Sequence, residues 1–253
     1  MLSQEGHLAR NIDRHVTLSG GDASLLAELD AHPRRVPRGS ELWQTQRPSD
    51  HLYTLCRGWA CSYHRSANGS QQILDLFVPG DIMGLRDLTY HDHTSTAVML
   101  TTGQVSAYPV ERVSELMRCS HRLDWALQAS AARQERLITQ RLINVLSHDA
   151  VSRIAHLMLE VQHRLQRVDA ASGDQFYLPL LQRQIGMLLG MSSVHVSRTL
   201  IELSRRGLLE RSRRRIHLLD VEALARIADF TTFPYEAGLN PELLPEGAGP
   251  HGA

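Results

Sequence analysis

The chain of 253 residues contains no lysine, and all 27 of its basic residues are arginines. Without an ε-amino group it cannot form a Schiff base, and it lacks the lysine of Walker-type phosphate loops. Its three cysteines, Cys56, Cys61 and Cys119, are too few for a disulfide framework, and no apolar run is long enough for a signal peptide or a membrane span. We therefore expect a reduced, cytoplasmic protein that makes no membrane contact.

The remaining composition is ordinary. Hydrophobic residues make up 42% and charged residues 21% of the chain, and 27 acidic residues balance the arginines to a net charge of zero. These proportions are typical of globular proteins and exclude a disordered or fibrous chain. A surface for nucleic acid therefore requires a local concentration of positive charge.

Residues 34–118 have the pattern of an antiparallel β-structure. Short apolar or alternating segments are separated by glycine-containing turns, and Asn68-Gly69 is a strong hairpin signal because both residues tolerate a positive φ. This pattern predicts a β-roll or jelly roll. Residues 1–33 contain only a short helical pattern, at 23–29, and are interpreted as a lead-in segment.

Residues 119–148 are predicted to form a dimerisation helix. Apolar residues recur three or four apart over about residues 121–147, which corresponds to a helix roughly 40 Å long. Such a helix is longer than one β-roll needs, so we expect it to pair with a second protomer; a helix that only covers its own β-roll is the alternative. Polar residues interrupt the heptad and leave open which stripe faces the partner. The assigned residues are Leu123, Leu127, Ala131, Gln134, Ile138, Arg141, Leu142 and Val145.

Residues 149–234 have the pattern of a winged helix-turn-helix. A helical segment at 182–189 ends at Gly190, Ser192 is placed to cap a second helix that continues to about Arg205, and two short strands surround residues 211–215. The final residues, 235–253, contain Gly, Pro, Ala and three Glu with little to bury, and predict a disordered acidic tail.

Positive charge is concentrated in this last domain. Residues 178–219 contain eight arginines and only two acidic residues, Glu202 and Glu210, a local net charge of +6. Binding to DNA phosphates requires such a cluster, especially on a helix and a hairpin. The residues assigned to phosphate contacts are Arg183, Arg205, Arg206, Arg211, Arg213, Arg214 and Arg215.

Two sets of short motifs carry a family resemblance. They are Leu178-Pro179-Leu180, Ile185-Gly186, Leu189-Gly190-Met191-Ser192 and Val196-Ser197-Arg198-Thr199-Leu200, and, upstream, Pro79-Gly80-Asp81-Ile82 with Gly84. Over about residues 35–228 the chain resembles the Crp/Fnr family of bacterial transcription regulators. The resemblance implies an α+β fold with an N-terminal antiparallel β-roll of the cyclic-nucleotide-binding type, a long dimerisation helix and a C-terminal winged helix-turn-helix. It also implies a homodimer that binds a palindromic operator in double-stranded DNA and contacts RNA polymerase, as an activator or repressor.

The resemblance assigns base-reading positions. In the Crp/Fnr family the second helix of the motif enters the major groove, which implies base contacts by Ser193, Val194, Ser197 and Arg198. Arg198 can bind the O6/N7 edge of a guanine. Many members carry a glutamate at the position of Val194, where it accepts a hydrogen bond from cytosine. Val194 cannot do this, and contact with a thymine methyl group is left open.

The resemblance also bears on the effector. Cyclic-nucleotide-binding members have a glutamate after the glycine matched by Gly84, for the ribose, and an arginine about ten residues later, for the phosphate. Here Leu85 takes the first place and residues 94–97 contain no arginine, so we do not expect cyclic AMP binding; substitution by Arg86 is the alternative. Iron-sulfur members need four thiolates, which three cysteines cannot supply. We therefore predict no cofactor and leave another effector open.

Other chemistries are weaker alternatives. Cys56 and Cys61 could form a redox pair across a turn, although small buried thiols are commoner. The pair His91 and His93 lacks the following glutamate and the second histidine motif of a cupin metal site. A haem- or thiol-based sensor of the same fold and a cupin-like β-roll enzyme are thus the alternatives, and no catalytic triad or phosphate loop supports an enzyme.

Overall fold

The structure, a computed structural model, describes residues 7–13, 18–29, 32–168, 170–232 and 240. The helices in this part of the chain are α1 (His7–Asp13), α2 (Gly20–Glu28), α3 (Val110–Cys119), α4 (His121–Ser147), α5 (Ala150–Gln166), α6 (Gln182–Leu189), α7 (Ser193–Arg205) and α8 (Val221–Ala228). The strands are β1 (Arg34–Val36), β2 (Glu41–Trp43), β3 (His51–Arg57), β4 (Ala60–Arg65), β5 (Gln71–Phe77), β6 (Ile82–Met83), β7 (Thr96–Met99), β8 (Gly103–Pro109), β9 (Gln175–Tyr177), β10 (Leu209–Ser212) and β11 (Arg215–Leu218). The predicted acidic tail, 235–253, lies outside the described residues except for Asn240.

Contacts group the described residues into two compact units. Among the described residues, the first unit contains those up to Ala60, Gly80–Glu135 and Asn240, and the second contains Cys61–Pro79 and those within Arg136–Tyr235. The β4–β5 hairpin thus groups with the C-terminal helices, whereas the sequence analysis assigned it to the β-roll domain. The predicted domain boundaries at residues 34, 119, 149 and 235 stay predictions.

The first unit contains an antiparallel sheet with strand order β1-β8-β3-β6, and β2 pairs with β7. Helices cover one face of the sheet because its side chains there are apolar: Leu52, Ile82 and Tyr108 belong to one buried cluster with Ile12 and Leu123 from α1 and α4. In the lead-in segment α2 begins at a capping box in which Ser19 and Asp22 exchange hydrogen bonds. The predicted antiparallel β-structure is confirmed.

The long helix is confirmed over His121–Ser147, but its orientation corrects the predicted dimer stripe. Leu123 and Leu127 are buried in the core of the first unit, and Arg141 is buried against Glu160. These side chains pack within the chain because the two leucines join its apolar core and Arg141 pairs with a buried carboxylate. Ala131, Gln134, Ile138 and Val145 are half-buried. The exposed stripe has heptad spacing and consists of Gln128, Ala132, Glu135, Thr139, Leu142 and Leu146; of the predicted residues, only Leu142 lies on it.

In the second unit β4 and β5 form the predicted hairpin. Gly69 has a φ of 81° in its turn, and the Asn68 side chain accepts a hydrogen bond from the Ser70 amide at 3.0 Å. Strand order in the other sheet of this unit is β10-β11-β9, and α5 packs against α7 and α8. The winged helix-turn-helix predicted from residue 149 onward is present.

A buried carboxylate connects three elements of the second unit. Glu160 in α5 is fully buried and receives two hydrogen bonds from Arg141 of α4, at 2.6 and 3.2 Å, and one from Arg164, at 3.1 Å. The same arginines donate to the carbonyl groups of Leu74 and Leu76 in β5, at 3.2 and 2.8 Å. Burial alone would raise the pKa of Glu160, but the two arginines outweigh it and lower the pKa to about 2.

Glu160→Gln should lower the free energy of unfolding by about 3 to 5 kcal/mol, because it removes the buried negative charge that the guanidinium groups of Arg141 and Arg164 contact. Since the folded-state pKa lies below the ordinary value of 4.5, the ionised carboxylate stabilises the fold above pH 4.5 and this contribution is lost as the pH falls towards 2. Urea unfolding of both proteins between pH 7 and pH 3 measures the difference, which should shrink towards low pH.

Glu222→Gln is the matched control, because Glu222 is 91% exposed and its pairing with Arg226 spans 3.8 Å. This change should leave the free energy of unfolding unaltered. Equal stability of the Glu160→Gln variant and the unaltered protein at pH 7 would contradict the role assigned to the buried carboxylate.

Candidate nucleic-acid interface

The helix-turn-helix is built by three local features, of which the sequence predicted the first two. Gly190 ends α6 with a φ of 66°, and the Ser192 hydroxyl caps α7 by accepting a hydrogen bond from the His195 amide at 3.2 Å. The turn also packs closely on α6, where a Cβ at Gly186 would lie 2.3 Å from the carbonyl oxygen of Met191. Only glycine permits this approach, so Gly186 sets how closely the turn can follow the helix.

The two faces of α7 are chemically distinct. Val196, Leu200 and Leu203 are buried and hold the helix against the unit's core. The predicted base-reading residues lie elsewhere on the helix: Ser193, Val194 and Arg198 are exposed and Ser197 is half-buried. Sequence reasoning missed Ile201, which is 48% exposed and stands seven residues after Val194. The sequence did contain a signal for its exposure. Ile201 lies outside the core stripe formed by residues 196, 200 and 203, and it caps neither end of the helix.

The wing is a tight hairpin with an arginine in an unusual conformation. Ser212 pairs with Arg215 across β10 and β11, which leaves Arg213 and Arg214 as a two-residue turn. Arg213 has a φ of 56°. A positive φ at the first turn residue is normally supplied by glycine, and a larger side chain there is strained.

Arg211 anchors the wing to the segment before α6. Its guanidinium donates to the carbonyl oxygen of Leu180 at 3.1 Å and to that of Arg213 at 3.3 Å, and its burial lowers its pKa. Arg214 at the tip donates to the hydroxyl of Tyr177 at 3.4 Å. The wing is therefore held in place by two of the residues that were assigned to phosphates.

An open cleft of about 530 Å³ lies between the wing and the starts of α6 and α7. It is lined by Leu181, Gln182, Arg183, Ser193, Arg211 and Arg213. Three arginines and a serine therefore line one space, and the serine, Ser193, is one of the predicted base-reading residues. This combination suits a phosphate group, which arginine can bind through two parallel hydrogen bonds.

The remaining arginines lie at the far end of α7 and along the wing. Arg205 and Arg206 are exposed at the end of the helix, where Arg206 lies 3.6 Å from the Glu202 carboxylate. Arg215 is exposed in β11. The structure thus places Arg183, Arg211 and Arg213 at one cleft, and the other four arginines at the C-terminal end of α7 and in the wing.

The segment after Gly84 is stabilised internally. Leu85 belongs to the buried apolar cluster of the first unit. The carboxylate of Asp87 accepts hydrogen bonds from the Thr94 hydroxyl at 2.9 Å and from the His93 ring at 3.0 Å. Burial alone would raise the pKa of Asp87, but these hydrogen bonds outweigh it and lower the pKa. The ionised carboxylate of Asp87 thus already accepts the hydrogen bonds that the side chains of Thr94 and His93 donate.

The other candidate centres have separate environments. His93 is buried against Asp87, whereas His91 is exposed and lies 2.8 Å from Asp92. Cys56 and Cys61 are buried, and burial raises the pKa of Cys61 to about 12, which disfavours the thiolate that redox chemistry needs. Within the described ranges, no group of three or more His, Cys, Asp or Glu side chains is placed to hold a metal ion, and none of the helices is long and apolar enough to cross a membrane.

Comparison with known proteins agrees with this architecture. A model of the cyclic nucleotide-binding domain matches residues 33–119, and a model of the Crp-like helix-turn-helix domain matches residues 152–227. The chain belongs to the Crp/Fnr family. This Crp/Fnr protein is a transcription regulator with a helix-turn-helix DNA-binding domain.

Crp/Fnr relatives match most of the chain. It is 28% identical over 215 residues to the transcriptional regulatory protein btr of Bordetella pertussis, covering 84% of this chain and 87% of that protein. It is 27% identical over 237 residues to the nitrogen fixation regulation protein FixK of Bradyrhizobium diazoefficiens, covering 89% and 97%. Among solved structures, FixK2 from Bradyrhizobium japonicum superimposes with a TM-score of 0.72 at 24% identity, covering 78% and 96%.

Arg213→Gly should stabilise the fold and weaken DNA binding. Glycine relieves the positive-φ strain of about 1 to 2 kcal/mol, offset by its own chain entropy of about 0.5 to 1 kcal/mol, so the free energy of unfolding should rise by roughly 0.5 to 1 kcal/mol. Loss of one guanidinium from the cleft should reduce the slope of log affinity against log salt by about one. Urea unfolding and salt-dependent anisotropy titrations measure the two effects.

Arg213→Lys serves as the control, because it keeps both the charge and the strained φ. It should retain the salt slope and the stability of the unaltered protein. If Arg213→Gly bound DNA with an unchanged salt slope, the phosphate role of this side chain would be wrong.

Proposed function

We propose that the chain binds a palindromic operator as a homodimer and regulates transcription by contacting RNA polymerase, without catalysing a reaction. The observation that carries the proposal is the exposed face of α7, where Val194 and Arg198 stand clear of the core among the arginines of the cleft and wing. Cytoplasmic localisation follows from a role on bacterial DNA. Ser193, Val194, Ser197 and Arg198 read bases, and the seven other arginines of residues 178–219 contact phosphates.

The homodimer is supported by the exposed stripe of α4. Leu142 and Leu146 are 56% and 73% exposed and belong to its heptad spacing, with Ile143, 46% exposed, beside them. Large apolar side chains at this spacing are what a two-stranded coiled coil buries. A two-fold axis along paired α4 helices presents two copies of α7 to successive major grooves, about 34 Å apart.

Footprinting on genomic fragments should reveal an inverted repeat with half-sites one helical turn apart. Arg198→Ala should then cost about 1 to 3 kcal/mol at one guanine in each half-site and relax specificity there, because it removes a bidentate contact to the base. Arg214→Ala is the matched control: it should weaken binding to all sequences alike and reduce the salt slope.

Protection of a single asymmetric half-site by a monomer would overturn the dimeric proposal. If Arg198→Ala changed only the salt slope, Arg198 would be a phosphate contact and not a base-reading residue.

We further propose that operator binding requires neither cyclic AMP nor an iron-sulfur cluster. Two features of the segment after Gly84 support the first part: Leu85 is part of the apolar core, and the Asp87 carboxylate already accepts the hydrogen bonds of Thr94 and His93. A nucleotide phosphate brought to this segment meets a negative charge and loses charge-assisted bonds of about 1.5 to 3 kcal/mol each.

Calorimetric titration of the purified dimer with cyclic AMP and cyclic GMP should therefore show no binding in the micromolar range. Titration of the same sample with operator DNA is the control for active protein. Micromolar binding of either nucleotide, coupled to tighter operator binding, would contradict this proposal and direct attention to Arg86.

A further inference from the structure

Two β-branched apolar side chains are exposed to solvent on α7, the second helix of the helix-turn-helix. Val194 is 57% exposed and Ile201 is 48% exposed. At 3.6 residues per turn, positions 194, 198 and 201 fall within a sector of about 60°. Arg198 is therefore flanked on the same face of α7 by an apolar side chain one turn before it and another one turn after it.

Neither side chain is needed to form the helix or its core. The core face of α7 consists of Val196, Leu200 and Leu203, and β-branched residues are less favourable in helices than unbranched ones. Exposed apolar residues on such a surface are explained best by a partner that covers them.

The surrounding charge identifies the partner. Residues 178–219 carry a net charge of +6, and Arg198 and Arg205, both exposed, lie on the same side of α7 as Val194 and Ile201. A stripe bordered by arginines is complementary to the major groove, which is lined by phosphates. The apolar group that a base edge offers in that groove is the thymine methyl.

We propose that Val194 and Ile201 contact thymine methyl groups on the two sides of the guanine bound by Arg198. This inference rests on the proposed function and specifies its operator. Along the helix axis Arg198 lies about 6 Å from Val194 and about 4.5 Å from Ile201, which corresponds to one or two base-pair steps of about 3.4 Å. Each half-site therefore contains a guanine with T·A pairs within two steps on both sides.

Deoxyuridine tests the proposal directly, because it removes the thymine methyl and leaves every hydrogen-bonding group in place. Replacing each thymine near the guanine singly, in both half-sites of the footprinted operator, should lower the affinity of the unaltered dimer about threefold to fivefold per methyl at two positions, one on each side. Anisotropy titrations at fixed salt provide the affinities.

The variants assign each position to a side chain. Val194→Ala should abolish the effect of deoxyuridine at one position only, and Ile201→Ala should abolish it at the other. Leu219→Ala is the matched control, because Leu219 is 43% exposed but lies outside α7; it should retain both effects. In addition, Val194→Glu should change the preferred pair at its position from T·A to C·G, since glutamate accepts a hydrogen bond from cytosine.

Each outcome is decisive. If the unaltered protein binds its operator but deoxyuridine has no effect, the inference is wrong while the proposed function stands; alanine variants that then lose transcription activation but not operator binding would identify the stripe as a protein contact. If the deoxyuridine effect persists in both alanine variants, other side chains contact the methyl groups. If footprinting finds no specific operator, the proposed function itself fails.

Circular dichroism of each variant checks its folding, and the titrations of the unaltered protein need no variant.

Discussion

The carboxylate of Glu160 is the constraint on which the second unit depends. A fully buried charge of this kind is tolerated only when paired and hydrogen-bonded, and here Arg141 and Arg164 supply both conditions. Because the same arginines donate to backbone carbonyls of β5, the end of α4, the body of α5 and the β4–β5 hairpin are joined through one ion. The positions of α4 and α5 therefore depend on an electrostatic network as well as on apolar packing.

This network explains why the long helix exposes the face that it does. Once Arg141 is turned inward towards Glu160, residues about 100° or more around α4 from it face outward, and these include Leu142 and Leu146. The apolar residues Leu123 and Leu127 at the other end of the helix serve the core of the first unit. A single helix thus packs one face against its own chain and leaves the other exposed, where the proposed second protomer would pair with it.

Local signals in the sequence predicted the elements well. The bounds of α4, α6 and α7 follow from periodicity and from the stop at Gly190 and the cap at Ser192, all of which depend on neighbouring residues only. The orientation of α4 could not be predicted, because it depends on Glu160, nineteen residues after Arg141. The internal role of Asp87 was missed for the same reason, since its partners are brought to it by the fold of the loop.

In the candidate site, too, local features could be predicted from the sequence and long-range contacts could not. Arg198 and the basic wing could be recognised from residue type and spacing. The anchoring role of Arg211 could not, because its acceptor, the carbonyl of Leu180, is a backbone group 31 residues away. Likewise, the positive φ of Arg213 could not be predicted. It results from the register of the β10–β11 hairpin, and arginine as a residue type does not favour it.

The division of α7 into a buried and an exposed face has an evolutionary consequence. Gly186 and the core residues Val196, Leu200 and Leu203 hold the helix in place, whereas Val194, Arg198 and Ile201 contribute little to that packing. Substitutions at the exposed positions therefore cost little in stability, and under the proposed base contacts they change which operator is bound. Under that proposal, a duplicated gene with this architecture can acquire a new set of targets through one or two such changes, while the residues that maintain its fold remain under the original selection.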